Sequence, residues 1–553
     1  MLKKIACQPL WVFQLGVAVL LWPGLNLNAA TDTVAKQQHS QRLVFVSLPE
    51  VELDPNLSTP LAALLSFRTL NPARVVVKVS KSNEEKNWTV DFNQYNTQHA
   101  LPILGLHPDS SYTLQVRIFN KSGQGRSFHK TLSLSTDPLP EGFPGIELKT
   151  HIPEKVEPGF TLLDIIPEGE NAEFGSVIAI LDNLGKVIWY QIGSRYTDVQ
   201  QLPNGNLLFI TSNKIVEMDL LGNTVSEIKA NVNLRKPAPG VVKTRNFHHE
   251  IFPLGKNYLS LSVESRQIKN YPAKIEAKSK KEKANVVGDL VIEFQADGTL
   301  LKQWSLLDML DPYRLGYDSL STYWDTLFVK KTRDWSHGNA VIHNPVSDSI
   351  IVSLRHQDAT INFSRKTGKL RWILGTHANW DKKRFGQYLL QPVNHRKNFF
   401  PYHAHAPAIL PNGNLLIYDN GNWRASPFKQ WVPHNKNFSR VVEYEINEKT
   451  RQVKLVWEHG EFVENRLYSG ALGDADKLPK TGNILITHGN LYDKKQKLYA
   501  RIIEVTHTTP ATEVFAVEIF DTSEEEKNGW RSYRARRIPS LYPHIPSLQA
   551  AGL

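Results

Sequence analysis

Cysteine is almost absent from this sequence: of 553 residues, only Cys7 carries a thiol. Everything after residue 7 therefore lacks a disulfide framework, a thiol nucleophile and thiolate metal ligands. The chain also lacks an uninterrupted apolar run of about 20 residues, the length that a membrane-spanning helix needs. Its composition, with 41% hydrophobic and 22% charged residues, is that of a folded globular protein and excludes a disordered chain.

The first thirty residues have the order of a secretory signal peptide. Lys3 and Lys4 form a positive end, an apolar run occupies residues 10–21, and Ala29 and Ala30 offer the small residues of a cleavage site. We therefore expect residues 1–30 to be removed near this pair of alanines and the mature protein to be periplasmic. An uncleaved membrane anchor is the alternative. After cleavage we expect no stable membrane insertion.

The formal net charge of +11 suits an anionic substrate, although a basic exported protein can equally favour a membrane surface or nucleic acid. The densest charged stretch, residues 274–283, alternates Lys with Glu276 and Glu282, a pattern typical of a solvated surface. We therefore expect no nucleic-acid partner.

The first part of the mature chain reads as a small β-domain. Short runs of β-branched and aromatic residues show period-two alternation, most clearly at residues 112–118. The turn at residues 106–112 resembles the one that leads into a late strand of fibronectin type III domains. Pro and Gly concentrate at residues 137–145 and mark a boundary. We expect a fibronectin-III-like β-sandwich over residues 31–140 and a second domain over residues 141–553.

The second domain repeats two hairpin patterns. Leu-Pro-Asn-Gly-Asn between apolar runs occurs at residues 202–206 and again, identically, at 410–414, with a close version at 478–483. Asn-Gly is a strong hairpin signal because both residues tolerate positive φ. A second strand–turn–strand pattern, often ending in Trp, occurs six times. Two hairpins per repeat give four-stranded sheets, so we expect an all-β chain with a six-bladed β-propeller. A long β-sandwich is the alternative.

Histidine recurs at one position of this repeat. We count back five residues from the residue that starts each hairpin turn. Leu254, Ile342 and Leu410 give His249, His337 and His405, while Leu202 gives Thr197. Equivalent positions of a propeller form a ring about its axis, so these imidazoles should share a central cavity. A single histidine on a strand is more often structural, and the recurrence argues against that interpretation here.

Strand pairing adds polar neighbours to the histidines. Arg355 ends the strand that returns beside His337 and should lie at the same end of the hairpin. The same pairing logic and period-two spacing bring three further side chains close: Asn339, Asn420 and His403. His403 either takes the place of His405 in the cavity or supports His405 there.

Such a cavity suits a small, strongly anionic group. A guanidinium presents a planar fork to tetrahedral oxyanions, and imidazole can act as nucleophile, acid or base near pH 7. Among carboxylates only Glu250 lies near the set, and its side chain should face away from His249. Three histidines also resemble a zinc site. Metal-binding histidines usually have a carboxylate or carbonyl partner, however, and Arg355 would repel a cation. We therefore expect no metal and no cofactor.

These residues resemble the bacterial arylsulfate sulfotransferases, which use no nucleotide sulfate donor. The resemblance covers nearly the whole mature chain. Each motif alone is modest, but four of them in this order are specific. The motifs are Phe-His-His-Glu-Ile at 247–251, Trp-Ser-His-Gly-Asn at 335–339, Ser-Leu-Arg-His-Gln-Asp at 353–358, and His-Ala-Pro-Ala at 405–408 leading to Asp-Asn-Gly at 419–421, with Tyr-Arg-Ala at 533–535 as a further match.

The resemblance implies an exported homodimer that moves a sulfuryl group from an aryl sulfate to a phenol through a sulfated histidine. His405 matches the nucleophile of the family. The residues that hold the sulfate match His337, Asn339 and Arg355. At the first histidine the family has an adjacent pair, and we choose His249 over His248, because it obeys the five-residue spacing and adjacent strand residues should not both face one cavity.

The resulting assignment has two groups of residues. We predict His405, His337, His249 and Arg355 as catalytic, and Asn339, Asn420, His248 and His403 as substrate-binding. Some relatives carry a disulfide near the active site, which a chain without cysteine after Cys7 does not have. Two other classes stay open: a non-catalytic ligand-binding propeller, and a metal-dependent lyase or hydrolase on a propeller. A sulfatase, which transfers the sulfuryl group to water, is an alternative closer in chemistry to a sulfotransferase.

Overall fold

The computed structural model describes residues 42–542 except 83–86, 276–278, 329, 394, 426–428 and 524–528. The predicted leader, residues 1–30, lies outside these ranges. Strands dominate the described chain, and the predicted all-β class is confirmed. Its helices are short: α1 (Leu306–Met309), α2 (Lys382–Phe385) and 3₁₀ turns at Gly169–Glu173, Tyr323–Thr326, Arg355–Gln357 and His434–Lys436. No helix in the described ranges has the length and apolar character needed to cross a bilayer.

The N-terminal domain is one curled, connected sheet. Its strands are β1 (Glu50–Leu53), β2 (Ala63–Lys81), β3 (Asn87–Ile103), β4 (Ser110–Phe119), β5 (Gly125–Ser127) and β6 (Leu132–Thr136). The long β2 pairs with β3 on one side and with β4 on the other, and a register shift between Arg68 and Ala73 bends it. Tyr112, Leu114 and Val116 of β4 are buried in alternation with exposed residues, as the period-two pattern predicted.

Antiparallel groups of four strands, here called units 1 to 6, make up the rest of the chain. Unit 1 is β8 (Phe160–Glu168), β9 (Ser176–Leu181), β10 (Val187–Gly193) and β35 (Ala535–Ile538); unit 2 is β11 (Thr197–Gln201), β12 (Leu207–Thr211), β13 (Lys214–Met218) and β14 (Thr224–Ala230); unit 3 is β16 (His248–Leu254), β17 (Asn257–Pro272), β18 (Lys281–Gln295) and β19 (Leu300–Ser305). Unit 4 is β21 (Gly338–Asn344), β22 (Ser349–Leu354), β23 (Ala359–Ser364) and β24 (Leu370–Gly375); unit 5 is β26 (His405–Ile409), β27 (Leu415–Asp419), β28 (Arg440–Asn447) and β29 (Gln452–His459); unit 6 is β30 (Asp474–Lys477), β31 (Ile484–Tyr492), β32 (Leu498–Val505) and β33 (Glu513–Phe520).

Short strands extend or join these units. They are β7 (Gly145–His151) on β33, β15 (Val241–Val242) on β14, β20 (Thr332–Asp334) on β18, β25 (Gln391–Pro392) on β29, and β34 (Gly529–Arg531) between β32 and β8. Because β35 pairs with β8, the two ends of the domain build unit 1 together. This is how propellers close, and the first strands of successive units contact each other. The number of six blades about one axis stays a prediction.

The repeated Leu-Pro-Asn-Gly-Asn segments form the hairpins that the sequence predicted. In unit 2 the Leu202 nitrogen donates to the Asn206 carbonyl at 2.8 Å, and Gly205 has φ +88°. In unit 5 the Leu410 nitrogen donates to the Asn414 carbonyl at 2.9 Å, and the glycine there has φ +86°. Each turn connects the first strand of its unit to the second. The turns therefore fix where each first strand ends and where the second begins.

Candidate active site

The first strands of units 2 to 5 share a distortion near their start. Their registers shift just after Thr197, His248, Gly338 and His405. Beside these shifts lie residues of positive φ: Asp198 (54°), His249 (63°), His337 (46°) and Ala406 (47°). Such backbone costs of order 1–3 kcal/mol in a residue other than glycine and clusters at functional sites. The distortion recurs where the sequence predicted a ring of polar side chains.

The predicted histidines converge. The rings of His249 and His337 have centroids 5.2 Å apart, in edge-to-face contact. His405 is 3% exposed and is close enough to His249 to lower the pKa of that histidine. His337 and Arg355 are in turn close enough to lower the pKa of His405. These charges and rings come from units 3, 4 and 5. The five-residue spacing therefore identified side chains that share one location.

Asn420 fixes the tautomer of His405. Its amide nitrogen donates to the carbonyls of Ser469 and Leu472 at 2.8 and 2.7 Å, which orients its oxygen towards His405. That oxygen lies 2.6 Å from Nδ1 of His405 and can only accept, so Nδ1 carries the proton. Nε2 of His405 is then an unprotonated nitrogen with an available lone pair. The side-chain oxygen and nitrogen of Asn420 thus both bind the protein, so Asn420 positions His405. Its substrate-binding role stays a prediction.

A buried carboxylate orients His337. Nδ1 of His337 lies 2.5 Å from an oxygen of Asp334, whose other oxygen accepts a hydrogen bond from the Trp324 indole at 3.0 Å. Burial raises the pKa of Asp334, and burial together with the Arg355 charge lowers the pKa of His337 to about 3. Both effects favour a neutral imidazole whose Nδ1 proton faces Asp334. Nε2 of His337 is left to exchange a proton.

His248 and His249 both border the same cavity, which corrects the expectation that only one of them would. Their Nδ1 atoms lie 2.7 Å apart, and Nε2 of His248 lies 3.3 Å from Asp289. The left-handed backbone at His249 and the register shift beside it break the alternation of an ideal strand. One of the two Nδ1 atoms donates to the other. His248 therefore supports its neighbour.

Arg355 follows β22 and reaches the same region. Its backbone nitrogen donates to the His337 carbonyl at 3.1 Å, which puts it at the end of the hairpin that the sequence predicted. The guanidinium contacts Asp318 at 3.2 Å, Nε2 of His356 at 2.8 Å and the Gly470 carbonyl at 3.3 Å. Its side chain is 14% exposed. Arg355 is therefore held by several partners beside the histidines.

His403 does not offer a free nitrogen to a substrate. Nδ1 lies 2.7 Å from Asp358 and Nε2 lies 3.1 Å from Asp318, and the ring is fully buried. Burial alone would lower the pKa of His403, but the two carboxylates outweigh it and raise that pKa. Both ring nitrogens of His403 thus face carboxylates, and its substrate-binding role stays a prediction. His403 holds Asp318, which in turn holds Arg355.

Asn339 lies fully buried between units 4 and 5. Its amide nitrogen donates to the Ala404 carbonyl at 2.8 Å, directly before His405, and its backbone carbonyl accepts from the Tyr533 hydroxyl at 2.9 Å. Its side-chain oxygen has no hydrogen-bond partner. The contact with Ala404 makes Asn339 a support for the strand that carries His405. Its predicted contact with sulfate stays a prediction.

The expectation that no carboxylate except Glu250 joins the cluster is wrong. Four buried or half-buried carboxylates contact the imidazoles or Arg355: Asp289, Asp318, Asp334 and Asp358. Glu250 does turn away, and it binds Arg534 at 2.7 and 2.9 Å. The sequence analysis also missed His356, which stacks on His337 at 4.5 Å. His356 and Asp358 stood inside the motif at 353–358, whereas nothing local marked Asp318.

The imidazoles nearest the site are uncharged. Burial first, then neighbouring positive groups, lowers the pKa values of His249 and His405 well below the ordinary value, and Arg355 contributes to this at His405. Burial also lowers the pKa of His356. Neutral nitrogens beside a permanent guanidinium combine nucleophilic and basic groups with one fixed positive charge.

Within the part of the chain that the structure describes, one group of side chains has the spacing of a metal site. Candidate ligand atoms of Asp334, His337 and His356 lie within 4.8 Å of one another. His356, however, donates from Nδ1 to the Asp334 carbonyl at 2.6 Å, and its Nε2 accepts from Arg355 at 2.8 Å. Both of its nitrogens are therefore engaged, and a guanidinium stands where a cation would bind. These residues do not fit a metal ion.

Fold and site together define an all-β protein of propeller-like strand pairing with a buried cluster of imidazoles beside a guanidinium. The chain belongs to the arylsulfotransferase family. The family model described as "Arylsulfotransferase (ASST)" matches residues 146–534, and "Arylsulfotransferase Ig-like domain" matches residues 50–137. The N-terminal sheet is thus the Ig-like domain of this family.

Two curated relatives are similar to part of the chain, and both are named arylsulfate sulfotransferase AssT. The relative from Lelliottia amnigena is 27% identical over 276 residues, which cover 42% of this chain and 44% of that protein. The relative from Escherichia coli O6:H1 is 27% identical over 270 residues, covering 41% and 44%. The chain thus matches less than half the length of each.

Solved structures resemble the chain only distantly. A periplasmic gluconolactonase of Pseudomonas aeruginosa, PpgL, is 11% identical with a TM-score of 0.29, and the match covers 84% of this chain and 96% of that one. A protein of unknown function from Bacteroides caccae is 12% identical with a TM-score of 0.33, covering 63% and 90%. Scores of this size establish no shared function.

Proposed function

We propose that this protein transfers a sulfuryl group from an aryl sulfate to a phenol through a covalent sulfohistidine on His405. One observation carries the proposal: His405 presents an unprotonated Nε2, fixed by Asn420, in a cluster with His337 and Arg355. Membership of the arylsulfotransferase family supports the aryl sulfate as donor. No cofactor is needed, because the donor already carries the activated group.

In the first half-reaction, Nε2 of His405 attacks sulfur, and the bond from sulfur to the phenolic oxygen breaks. The guanidinium of Arg355 stabilises negative charge on the sulfuryl oxygens, which is the kind of preorganised stabilisation that contributes most to group transfer. Nδ1 of His405 keeps its proton and donates it to the Asn420 oxygen, so the amide stabilises the imidazolium that forms. The phenolate leaves as an anion and takes a proton from water, because neutral His337 carries no proton on Nε2.

In the second half-reaction, the phenol acceptor binds and neutral His337 removes its proton at Nε2. The phenolate oxygen attacks sulfur, the bond from sulfur to His405 breaks, and His405 regains its lone pair. His337 then releases this proton to water and is neutral again for the next turnover. It thus acts as the base of the second half-reaction, and the kinetics should be ping-pong.

We expect Asp334→Asn to lower kcat by about 10²-fold or more. An amide at this position can donate to Nδ1 of His337, which moves the imidazole proton to Nε2 and removes the basic lone pair. The pH–rate profile should change its shape as well. Steady-state transfer rates from pH 5 to 9 measure both effects.

The matched control for this variant is Asp348→Asn. It breaks another aspartate–histidine pair, between Asp348 and His343 at 2.9 Å, on the exposed hairpin of the same unit. Its kcat should stay within about two-fold of wild type, as is usual for surface substitutions. Equal losses in the two variants would contradict the role given to Asp334.

The pH dependence of the first half-reaction should reflect the lowered pKa of His405. An ordinary imidazole with a pKa of about 6.5 would be about nine-tenths protonated at pH 5.5 and so nearly inactive as a nucleophile. Because burial and Arg355 lower the pKa of His405, its neutral form persists to more acidic pH. Phenol release in a single turnover should therefore stay nearly constant between pH 7.5 and 5.5. A ten-fold fall over this interval would contradict this assignment.

A single assay separates the proposed transferase from its rivals. Purified protein is mixed with para-nitrophenyl sulfate, with and without a phenol, in the absence of nucleotide donors. A transferase releases nitrophenol faster when phenol is present and forms the new aryl sulfate. A sulfatase is indifferent to phenol, a binding protein gives no turnover, and a metal-dependent enzyme loses activity on chelation.

We further propose that the protein is exported to the periplasm and forms a homodimer. The order of charged, apolar and small residues at positions 1–30 supports export. Mass spectrometry of the N-terminus after expression with an export system measures cleavage, with a new terminus near Ala30 expected. Light scattering of the purified protein measures its assembly, and a monomer would contradict the dimer.

A further inference from the structure

The cavity that His248 and His249 border extends along units 2 and 3. It has a volume of about 550 Å³ and reaches His248 and His249 at its inner end. Its walls include Phe247, Trp324 and Leu327. Ligand pockets are typically 300–1,000 Å³ and mainly apolar, with a few polar groups, so this cavity is large enough for more than a single phenol ring.

Aromatic rings lead from the histidines into this cavity. Tyr323 lies edge-on to His337 with ring centroids 5.0 Å apart, and its side chain is 47% exposed. Tyr533 approaches His249 at 6.0 Å, and Trp324 approaches His248 at 5.2 Å. Rings in this arrangement favour an aromatic ligand in edge-on or offset contact. An aryl group extending from the sulfuryl site would therefore lie along these three side chains.

The charge of the cavity has one sign. Arg195 is the fixed cation among the residues that line it, and the described lining contains no carboxylate. Arg195 is exposed, no hydrogen bond or ion pair ties it to any described residue, and its charge reaches His249. Polar side chains stand beside it on units 2 and 3: Thr197, Ser212, Asn213 and Asn246.

The cavity at the other end of the first strands is different. It has a volume of about 570 Å³, and its lining contains Glu250, Asp474 and Asp476 together with Arg534 and Arg536. Mixed charge there gives no preference for an anion. The uniform positive character beside His249 is therefore a property of one cavity and not of the whole interior of the protein.

We propose that the Arg195 cavity binds the body of the aryl substrate and that Arg195 recognises a second anionic substituent on it. The substrate class is then a phenol, or its sulfate ester, that carries a carboxylate or sulfonate away from the reacting oxygen. This inference rests on the proposed function, because the phenolic oxygen must point to the sulfuryl site. A guanidinium is suited to such a group because it binds carboxylates and sulfonates through paired hydrogen bonds.

The test compares two acceptors that differ only in charge: para-hydroxyphenylpropanoate and its methyl ester, with para-nitrophenyl sulfate as donor. Wild-type protein should have a KM for the acid about five-fold below that for the ester, the size expected for a solvent-exposed charge pair. Arg195→Gln should bring this ratio close to one. Arg235→Gln, which removes an exposed cation outside the cavity lining, should leave the ratio as in wild type. Raised ionic strength should reduce the ratio in wild type.

Equal KM values for acid and ester in wild type would overturn the inference, and so would a ratio that persists in Arg195→Gln. Failure of transfer to both acceptors would instead count against the proposed function. Calorimetric titration of the same acid and ester into wild type and Arg195→Gln then decides the inference without turnover. Preference for the acid in wild type alone supports the cavity, and equal binding refutes it.

Discussion

His405→Ala should abolish transfer from para-nitrophenyl sulfate to phenol, with a fall in kcat of at least about 10³-fold, the scale seen when a covalent nucleophile is removed. The reason is specific to the geometry. The Asn420 oxygen lies 2.6 Å from Nδ1 of His405 and keeps the imidazole proton there. The lone pair on Nε2 is therefore available to attack sulfur. Initial rates of nitrophenol release, with and without phenol, measure the loss.

The control for this variant is His343→Ala, which removes an imidazole from the outer hairpin of unit 4. Its kcat should remain near that of wild type. Circular dichroism and thermal unfolding should show that both variants fold. Retention of more than about a tenth of the activity in folded His405→Ala would remove His405 from the nucleophilic role, since such a residue then contributes little.

Arg355→Lys should lower kcat by about 10²- to 10³-fold although the charge is kept. Lysine offers a single point charge on a flexible stem. It cannot reproduce the contacts of the guanidinium with Asp318, His356 and Gly470, which hold the positive charge beside the histidines. The loss should appear mainly in kcat, because the charge on the sulfuryl oxygens and the leaving oxygen changes most in the transition state. Steady-state rates over a range of donor concentrations separate kcat from KM.

Arg371→Lys is the matched control. Arg371 pairs with Glu448 at the partly exposed edge between units 4 and 5, so the same substitution there should leave kcat within about two-fold of wild type. A fall in Arg355→Lys that is confined to KM would contradict the account. It would mean that the guanidinium binds substrate and transition state equally.

The parts of the fold that the sequence predicted are those governed by local chemistry. Asn-Gly turns form hairpins because of their own φ preferences, so the segments at residues 202–206 and 410–414 could be identified without any tertiary contact. The five-residue spacing from the hairpin turns that start at Leu254, Ile342 and Leu410 then located His249, His337 and His405, because the turn sets the register of the strand before it. Arg355 followed from the pairing of the same hairpin.

The parts that could not be predicted depend on distant contacts. Asp334 belongs to a short strand on unit 3, and Asp318 lies in a connecting segment, yet both bind groups of the site. Period-two alternation assigned His248 and His249 to opposite faces, but a register shift is a property of the paired backbone, so both rings border one cavity. The contacts by which Asn420 positions His405 and His403 holds Asp318 could not be predicted for the same reason. Their partners became visible only when the units were assembled.

The central claim is that sulfur is bonded to His405 between the two half-reactions. It is tested most directly by mixing the protein with excess aryl sulfate in the absence of acceptor, quenching under alkaline conditions and measuring the intact mass, followed by peptide mapping. The account predicts a mass increase of one sulfuryl group per chain, located on His405 and removed by added phenol. Transfer that continues at full rate with no mass increase, or with the sulfuryl group on another residue, would contradict it.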